Sequence, residues 1–259
     1  MKLGFEESQT AFNSGSQQAR VWTERWVADQ MFCPNCGSAT LSQFPANSPV
    51  ADFFCASCED QFEVKAKNGR SFGRSVADGA YDTKIARLTS KTNSNLLLLG
   101  YDRAARAVHS ACIVPKHFFV PDIIQKRKPL AETARRAGWV GSNILLNLVP
   151  ESGRIFILRN GVEEPREAVL AKWQQTLFLR DTNVEARGWL IEVMKAVEAI
   201  GRPEFELSDV YAFEARLSTI YPGNNNVRPK IRQQLQVLRD HGYLDFTGRG
   251  RYRLRSGGT

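Results

Sequence analysis

Apolar residues recur along the first 181 residues with the periods of strands and helices. Residues 96–101 form an uninterrupted apolar run, which is typical of a strand buried on both faces. Residues 62–66 alternate between apolar and polar side chains, which predicts a strand with one buried face. This mixture indicates an α/β domain, with further strands at 50–54, 107–114 and 154–158 and helices at 14–30, 78–88 and 164–177.

The pattern changes after residue 181, where helices dominate. Residues 189–200, 208–220 and 228–241 are predicted helices, the first with its apolar side chains on one face. Residues 243–246 and 251–254 flank a glycine-containing turn, which predicts a β-hairpin. Three helices followed by a hairpin is the order of a winged-helix domain, so we predict two domains, 1–181 and 182–259.

The positive charge lies where a winged helix contacts DNA. The chain has 35 Lys and Arg against 27 Asp and Glu, a net charge of +8. Residues 228–255 hold eight basic and two acidic residues, whereas 182–227 hold four basic and seven acidic. Winged helices also bind proteins, but a basic third helix and hairpin favour a nucleic-acid backbone. The candidate contacts are Asn226, Arg228, Lys230, Arg232, Gln233, Arg249 and Arg251.

Nothing in the pattern favours a membrane. No apolar run approaches the ~20 residues that span a bilayer, and the N-terminus has no apolar segment of a secretory signal. We therefore expect a soluble intracellular protein.

Four of the five cysteines form two pairs with the spacing of a zinc ribbon. Cys33 and Cys36 are separated by two residues, and so are Cys55 and Cys58. Four thiolates complete a tetrahedral shell and leave no open position for a substrate, so the zinc is expected to be structural. The alternatives are reduced, buried thiols or two disulfides, and an intracellular location disfavours disulfides.

Two carboxylates and a lysine form a candidate catalytic site. Glu63 and Lys65 lie two residues apart on a predicted strand, so they share a face, and Asp52 ends the neighbouring predicted strand. Asp52 and Glu63 are hard oxygen ligands that suit Mg2+, and the carbonyl of Val64 could complete the shell. The metal would activate water, and Lys65 would orient that water or stabilise the phosphate charge. The alternative for Glu63 and Lys65 is an exposed strand face.

The motif Asp52…Glu63-Val64-Lys65 resembles the PD-(D/E)xK nuclease superfamily. Ala51 stands where the superfamily pattern has a proline, and Pro49 lies three residues before Asp52. The resemblance implies an α/β nuclease core. Because the second cysteine pair lies between Asp52 and Glu63, an embedded four-cysteine zinc ribbon would brace the catalytic strands, and the winged helix would follow as a C-terminal domain.

Longer stretches are similar to methyl-directed type II restriction endonucleases; they are residues 33–37, 49–53, 78–81, 125–131, 133–139, 231–236, 238–240 and 248–250. This resemblance implies Mg2+-dependent cleavage of double-stranded DNA at GATC containing N6-methyladenine. It also implies a structural Zn2+, recognition of the site by both domains, and a prokaryotic, cytoplasmic location. With a DNA-binding appendage, we expect a monomer that cuts the strands in turn.

The resemblance also points to a methyl reader in the nuclease domain. Arg135 and Arg136 can contact phosphates or guanine edges, and Trp139 offers an apolar face to methyl groups. The alternative is that Trp139 belongs to the core.

Two other functions remain open. A non-catalytic DNA-binding regulator would also carry a zinc ribbon and a winged helix, but it has no need for Asp52, Glu63 and Lys65. A nuclease with another specificity would share all of these features.

Overall fold

The computed structural model describes residues 1–5, 14–45, 51–90 and 93–255. Within these residues the helices and strands follow one another in the order α1 (Gly15–Gln30), β1 (Ser42–Gln43), β2 (Phe53–Phe54), β3 (Gln61–Asn68), β4 (Ser75–Ala80), α2 (Tyr81–Arg87), β5 (Asn95–Asp102), β6 (Ala107–Val114), β7 (Ile124–Lys126), β8 (Gly141–Leu145), β9 (Ile155–Arg159), β10 (Val162–Glu163), α3 (Arg166–Thr176), α4 (Val184–Ala199), β11 (Glu204–Glu206), α5 (Leu207–Tyr211), α6 (Glu214–Ile220), α7 (Val227–Asp240), β12 (Leu244–Gly248) and β13 (Arg251–Leu254). Short 3-10 turns fill several of the connections.

The central sheet of the described chain has seven strands in the order β1-β2-β3-β5-β6-β9-β10. Strands β3 and β5 are parallel, and the other neighbouring pairs are antiparallel. A second sheet of three strands has the order β4-β8-β7, and a third has the order β11-β13-β12. The mixed α/β class is therefore confirmed.

The leucine run of β5 lies between two hydrophobic cores. Leu97 and Leu99 pack with Trp26 of α1 and Trp173 of α3, on one face of the central sheet. Leu96 and Leu98 belong to the core on the opposite face. Because side chains alternate along a strand, the run fills both cores at once, as its continuous hydrophobicity predicts.

The second core is continuous with the C-terminal helices. Phe118 and Phe119 follow β6 and pack in the same cluster as Trp189 of α4 and Leu235 of α7. Asn183 caps α4, since its side chain accepts a hydrogen bond of 2.9 Å from the backbone N–H of Ala186. The segment that follows β6 and the helices that follow residue 183 thus share one apolar core.

Three elements differ from the sequence prediction, and the first two affect the site. The strand expected at 50–54 is reduced to β2, so Asp52 precedes a strand instead of ending one; residues 46–50 lie outside the described chain. The helix expected to begin at Asp78 begins at Tyr81, because residues 75–80 pair with β8 as a strand. The helix expected at 208–220 is likewise divided into α5 and α6.

No helix in the described residues combines the length and the apolar character that a membrane span requires.

Candidate active site and DNA-facing surfaces

A cleft of about 600 Å³ opens between α1, β3, β4 and α2. Charged side chains from all four elements and from the segment before β2 line it; they are Arg20, Glu24, Asp52, Glu63, Lys65, Asp78, Lys84 and Arg87. Glu63 and Lys65 share one face of β3, and the Nζ of Lys65 lies 2.7 Å from Oε1 of Glu63. Strand β3 therefore presents a carboxylate and an ammonium to the same space.

Asp52 enters the same cleft because β2 pairs with β3. The register sets Phe53 opposite Phe62, so Asp52, the residue before β2, lies beside Glu63 and Val64 in the first half of β3. The backbone N–H of Val64 donates a hydrogen bond of 2.8 Å to Oδ2 of Asp52. The structure thus brings together Asp52, Glu63 and Lys65, the three residues that the sequence motif singles out.

Asp78 and Lys84 complete the cluster, and the motif did not include them. Asp78 lies on β4 and Lys84 on α2; both are buried, and Nζ of Lys84 is 2.8 Å from Oδ2 of Asp78. The Nζ of Lys65 lies 3.3 Å from Oδ1 of Asp78, and the Nζ of Lys84 lies 3.7 Å from Oε2 of Glu63. The four side chains therefore form one charge network. The matched stretch 78–81 was the signal for Asp78, and no motif pointed to Lys84.

Opposite charges set the ionisation of this network. Burial alone would raise the pKa of Asp78, but Lys84 and Lys65 hold that pKa well below its usual range. Burial alone would lower the pKa of Lys65, but the carboxylates of Glu63 and Asp78 together keep it above its ordinary value. Asp78 is thus an anion and Lys65 a cation at neutral pH.

Helix α1 adds a further arginine and glutamate. Nη2 of Arg20 lies 3.1 Å from Oδ1 of Asp52, and its Nε also pairs with Glu24. The hydrogen bond to Glu24, with the charge of Asp52, keeps the pKa of Arg20 above its ordinary value. Gln43 of β1 donates to the other oxygen of Glu24 at 2.9 Å. Arg20 thus neutralises Asp52 on the side away from β3.

The four paired cysteines gather into one cluster. All four Sγ atoms lie within 4.8 Å of one another, with Cys33 3.6 Å from Cys58 and Cys36 3.5 Å from Cys55. Tetrahedral Zn–S bonds of about 2.3 Å separate neighbouring sulfurs by about 3.8 Å, which these distances match. The thiols are free and not paired as disulfides. The cluster could therefore hold a zinc ion.

Backbone amides favour the thiolate form of Cys55, whereas burial raises the pKa of Cys33 and Cys58. Burial acts to raise the pKa of Cys55, but the N–H groups of Cys58 and Ser57, with neighbouring side chains, lower it to about 7. Both knuckles close with a left-handed residue, Gly37 at φ 75° and Glu59 at φ 61°. The second knuckle lies in the connection between β2 and β3, so it constrains the two segments that carry Asp52 and Glu63.

Asp60 joins this connection to the segment that precedes α4. Its side chain is buried, with one oxygen 3.1 Å from Nζ of Lys116 and the other 2.9 Å from Nη2 of Arg180. Arg180 lies in the 3-10 turn that leads to α4. The second cysteine knuckle is therefore connected by ion pairs to the segment that leads to the C-terminal helices.

Trp139 lies near the end of the loop between β7 and β8, on the surface of this loop. Its side chain is half-buried, its ring lies against Gly141, where a Cβ would come within 2.8 Å of the ring, and Arg136 stacks on it at 4.7 Å. Arg135 and Arg136 are exposed. The backbone N–H of Tyr81, the first residue of α2, donates to the carbonyl of Val140. The loop thus lies next to the helix that carries Lys84.

In the C-terminal half, the candidate DNA contacts fall into two groups. Arg232 and Gln233 lie on the exposed face of α7 with Gln236, which the sequence prediction missed. Asn226 and Arg249 are exposed at the helix start and the hairpin turn. The others have intramolecular partners: Arg228 binds Glu214 at 2.8 Å, Arg251 lies 3.6 Å from Glu206, and Lys230 lies over the ring of Trp189 at 6.0 Å.

Comparison with known protein families covers almost the whole chain. A family model described as "DpnI: Dam-replacing family" matches residues 1–182. A second, described as "Dam-replacing HTH domain", matches residues 185–254. The helix-turn-helix match coincides with α4 to β13, which confirms the prediction of a C-terminal domain of this class and suggests that it binds DNA.

Proposed function

Because the chain belongs to the DpnI (Dam-replacing) family, a membership that implies a methyl-directed restriction enzyme, we propose a specific reaction for it. It is a Mg2+-dependent type II endonuclease of the PD-(D/E)xK type that cleaves double-stranded DNA at GATC containing N6-methyladenine. The observation that carries this proposal is the meeting of Asp52, Glu63 and Lys65 in one cleft, with Asp52 held by the N–H of Val64. A non-catalytic regulator has no use for this arrangement.

The donor set of the cleft fits Mg2+. Asp52, Glu63 and Asp78 supply only carboxylate oxygens, the ligands that a hard cation prefers, and no thiol or imidazole of the described residues lines the cleft. We assign Asp52, Glu63 and the carbonyl of Val64 as ligands. When bound, the ion supplies Lewis-acid activation of the phosphate and of the attacking water.

The chain's own residues bind and orient the scissile phosphate. Lys65 remains protonated beside Glu63 and Asp78, so it can donate hydrogen bonds to the attacking water or to a phosphate oxygen. Its position on the same strand face as Glu63 aligns both groups on one phosphodiester. Arg20 pairs with Asp52 from α1 and supplies a further positive charge at the rim of the cleft.

The remaining parts hold this site on DNA. Four cysteines bind Zn2+ and fix the connection between Asp52 and Glu63. We propose a catalytic domain of residues 1–181 and a winged-helix domain of residues 182–259, the second beginning at the Asn183 cap. The exposed face of α7 and the hairpin turn contact the duplex, through Arg232, Gln233 and Arg249. The enzyme acts as a monomer in the prokaryotic cytoplasm.

One methyl group contributes little binding free energy, so strong discrimination requires recognition of two methyl groups. One methyl group contributes about 0.8 kcal/mol by transfer and about 1–3 kcal/mol in a tight pocket, a discrimination of roughly 10- to 200-fold. Trp139 supplies an apolar face for this group, and Arg136, stacked on the ring, limits its movement. Two methyl groups in a palindrome, read by two domains, would multiply the ratio.

The test is cleavage of one plasmid prepared with and without adenine methylation at GATC, in Mg2+ and in EDTA. We expect cutting of the methylated plasmid alone, and only in Mg2+. Cutting of both plasmids would remove the methyl specificity, and binding without cutting of either would favour the regulator.

A further inference from the structure

The end of β3 and the loop that joins it to β4 form a strongly basic segment beside the cleft, residues 66–75. Residues 66–75 contain Lys67, Arg70 and Arg74 and no acidic residue, and all three side chains are exposed. Within the described chain, none of the three forms an ion pair. Arg253 and Arg255 near the C-terminus differ, since each lies 2.6 Å from a carboxylate. The loop therefore carries cations that are free for a partner.

The loop is ordered by contacts with the central sheet. The N–H of Gly69, at φ 124°, donates to the carbonyl of Tyr101, and Nε2 of His109 lies 2.7 Å from the carbonyl of Gly69. Asn68 accepts a hydrogen bond from the backbone of Arg103 at 3.3 Å. At the far end the carbonyl of Arg74 accepts from the N–H of Asn147. A loop fixed in this way presents its cations without a large loss of chain entropy on binding.

Strand β4 sets the distance between this loop and Trp139. The loop ends where β4 begins, while Ala80 at the other end of β4 is paired with Gly141, beside Trp139. Asp78 and the rest of the cleft lie along the same strand. Five residue steps of about 3.3 Å separate the two ends by about 17 Å, which equals the rise of about five base pairs at about 3.4 Å each. The distance exceeds a recognition site of four base pairs.

We propose that Lys67, Arg70 and Arg74 bind backbone phosphates of the DNA that flanks the recognition site, about five base pairs from the base pair that contacts Trp139. The inference rests on the proposed function for its ligand, a DNA duplex. Lys67 continues the strand face of Glu63 and Lys65, so it extends the cleft directly toward this flank. Such contacts carry no sequence information and fix the position of the scissile phosphate in the cleft.

The test measures DNA binding in EDTA as a function of salt, which separates it from cleavage. The variant is Lys67→Ala/Arg70→Ala/Arg74→Ala. The matched control is Lys2→Ala/Arg25→Ala/Lys172→Ala, which removes the same charge. These side chains are solvent-accessible and lie outside the cleft, the segment 66–75 and the loop between β7 and β8. Each lost phosphate contact lowers the slope of log K against log salt by about 0.9, so the variant should lose about 2–3 from the slope and the control much less.

Two duplexes make the expected position testable. With the site inside a long duplex, the affinity of the variant should fall by the same factor whether the site is methylated or not. The ratio of the two affinities should therefore stay as in the wild type. With duplex ends about two base pairs from the site, the variant and the wild type should bind alike, because the contacted flanking phosphates are absent. An unchanged slope on long DNA would overturn the inference. A wild type without preference for methylated DNA would instead contradict the proposed function and leave the salt slope as an independent result.

Discussion

Nζ of Lys84 lies 2.8 Å from Oδ2 of Asp78, and both side chains are buried beneath the cleft. The pair joins α2 to β4 at the point where Lys65 and Glu63 also meet, so each of the two buried charges is compensated by more than one neighbour. Loss of one member would leave the other buried charge with only its more distant neighbour, which is more unfavourable than loss of both.

Asp78→Asn and Lys84→Met should therefore each destabilise the protein, by about 3–5 kcal/mol. The double variant should lose clearly less than the sum, because it leaves neither charge without its partner. Urea unfolding, followed by tryptophan fluorescence, provides the double-mutant cycle. Asp82→Asn is the control on the exposed side of α2 and should change stability by less than about 0.5 kcal/mol. Additive losses for the pair would refute the coupling.

Trp139→Ala should reduce the preference for methylated over unmethylated duplex by about tenfold or more, while the zinc content and stability change little. Gly141→Ala should have a similar effect, because its Cβ would come within 2.8 Å of the ring and displace it. Competitive binding of the two duplexes measures the preference. Leu130→Ala, an exposed apolar change in the same loop, should leave the preference intact. A wild-type preference in Trp139→Ala would remove this residue from the reader.

Removal of zinc should destabilise both the central sheet around β3 and the C-terminal helices. The cluster constrains the connection from β2 to β3, and Asp60 joins that connection to Arg180 before α4, while the apolar core continues into α7. Hydrogen exchange should therefore lose protection in β3 and in α7 together when a chelator strips the metal. Cys112→Ala, a buried cysteine outside the cluster, should retain zinc. Protection lost in β3 alone would mean that the two halves unfold independently.

Glu59→Gly should stabilise the protein by about 1 kcal/mol. Glu59 is exposed and holds a left-handed φ of 61°, a conformation that is unfavourable for residues with a Cβ and free for glycine. The equivalent position of the first knuckle is already a glycine, Gly37. Urea unfolding of the zinc-loaded protein measures the change. Ala56→Gly, in the same turn without a positive φ, should instead destabilise, and equal effects of the two changes would contradict the argument.

The sequence correctly predicts those strands and helices in which buried side chains recur at regular positions. Leu96 to Leu99 predict a doubly buried strand because every side chain enters one of two cores. The span of β6 and the exposed and buried faces of α7 likewise follow from local periodicity. For the same reason the motif Glu63-Val64-Lys65 could be assigned to one strand face.

Strand β4 was not predictable, because its stability comes from distant partners. Ser75–Ala80 contains alanine, glycine and aspartate, which are poor strand formers, and an aspartate before a helical pattern resembles a helix start. Pairing with β8, about 65 residues away, decides its conformation. Asp78 was therefore expected on a helix, and its meeting with Lys84 and Lys65 had no local signal.

We expect phosphodiester hydrolysis in the cleft to depend on the carboxylate of Asp52. Asp52→Asn keeps an oxygen that can accept the N–H of Val64 but removes the negative charge that suits Mg2+. Single-turnover cleavage of a methylated duplex by this variant should fall by about a thousandfold or more, with DNA affinity in EDTA within about threefold of wild type. Asp29→Asn, an exposed change on α1, should cut normally. Wild-type cleavage by Asp52→Asn would contradict the account.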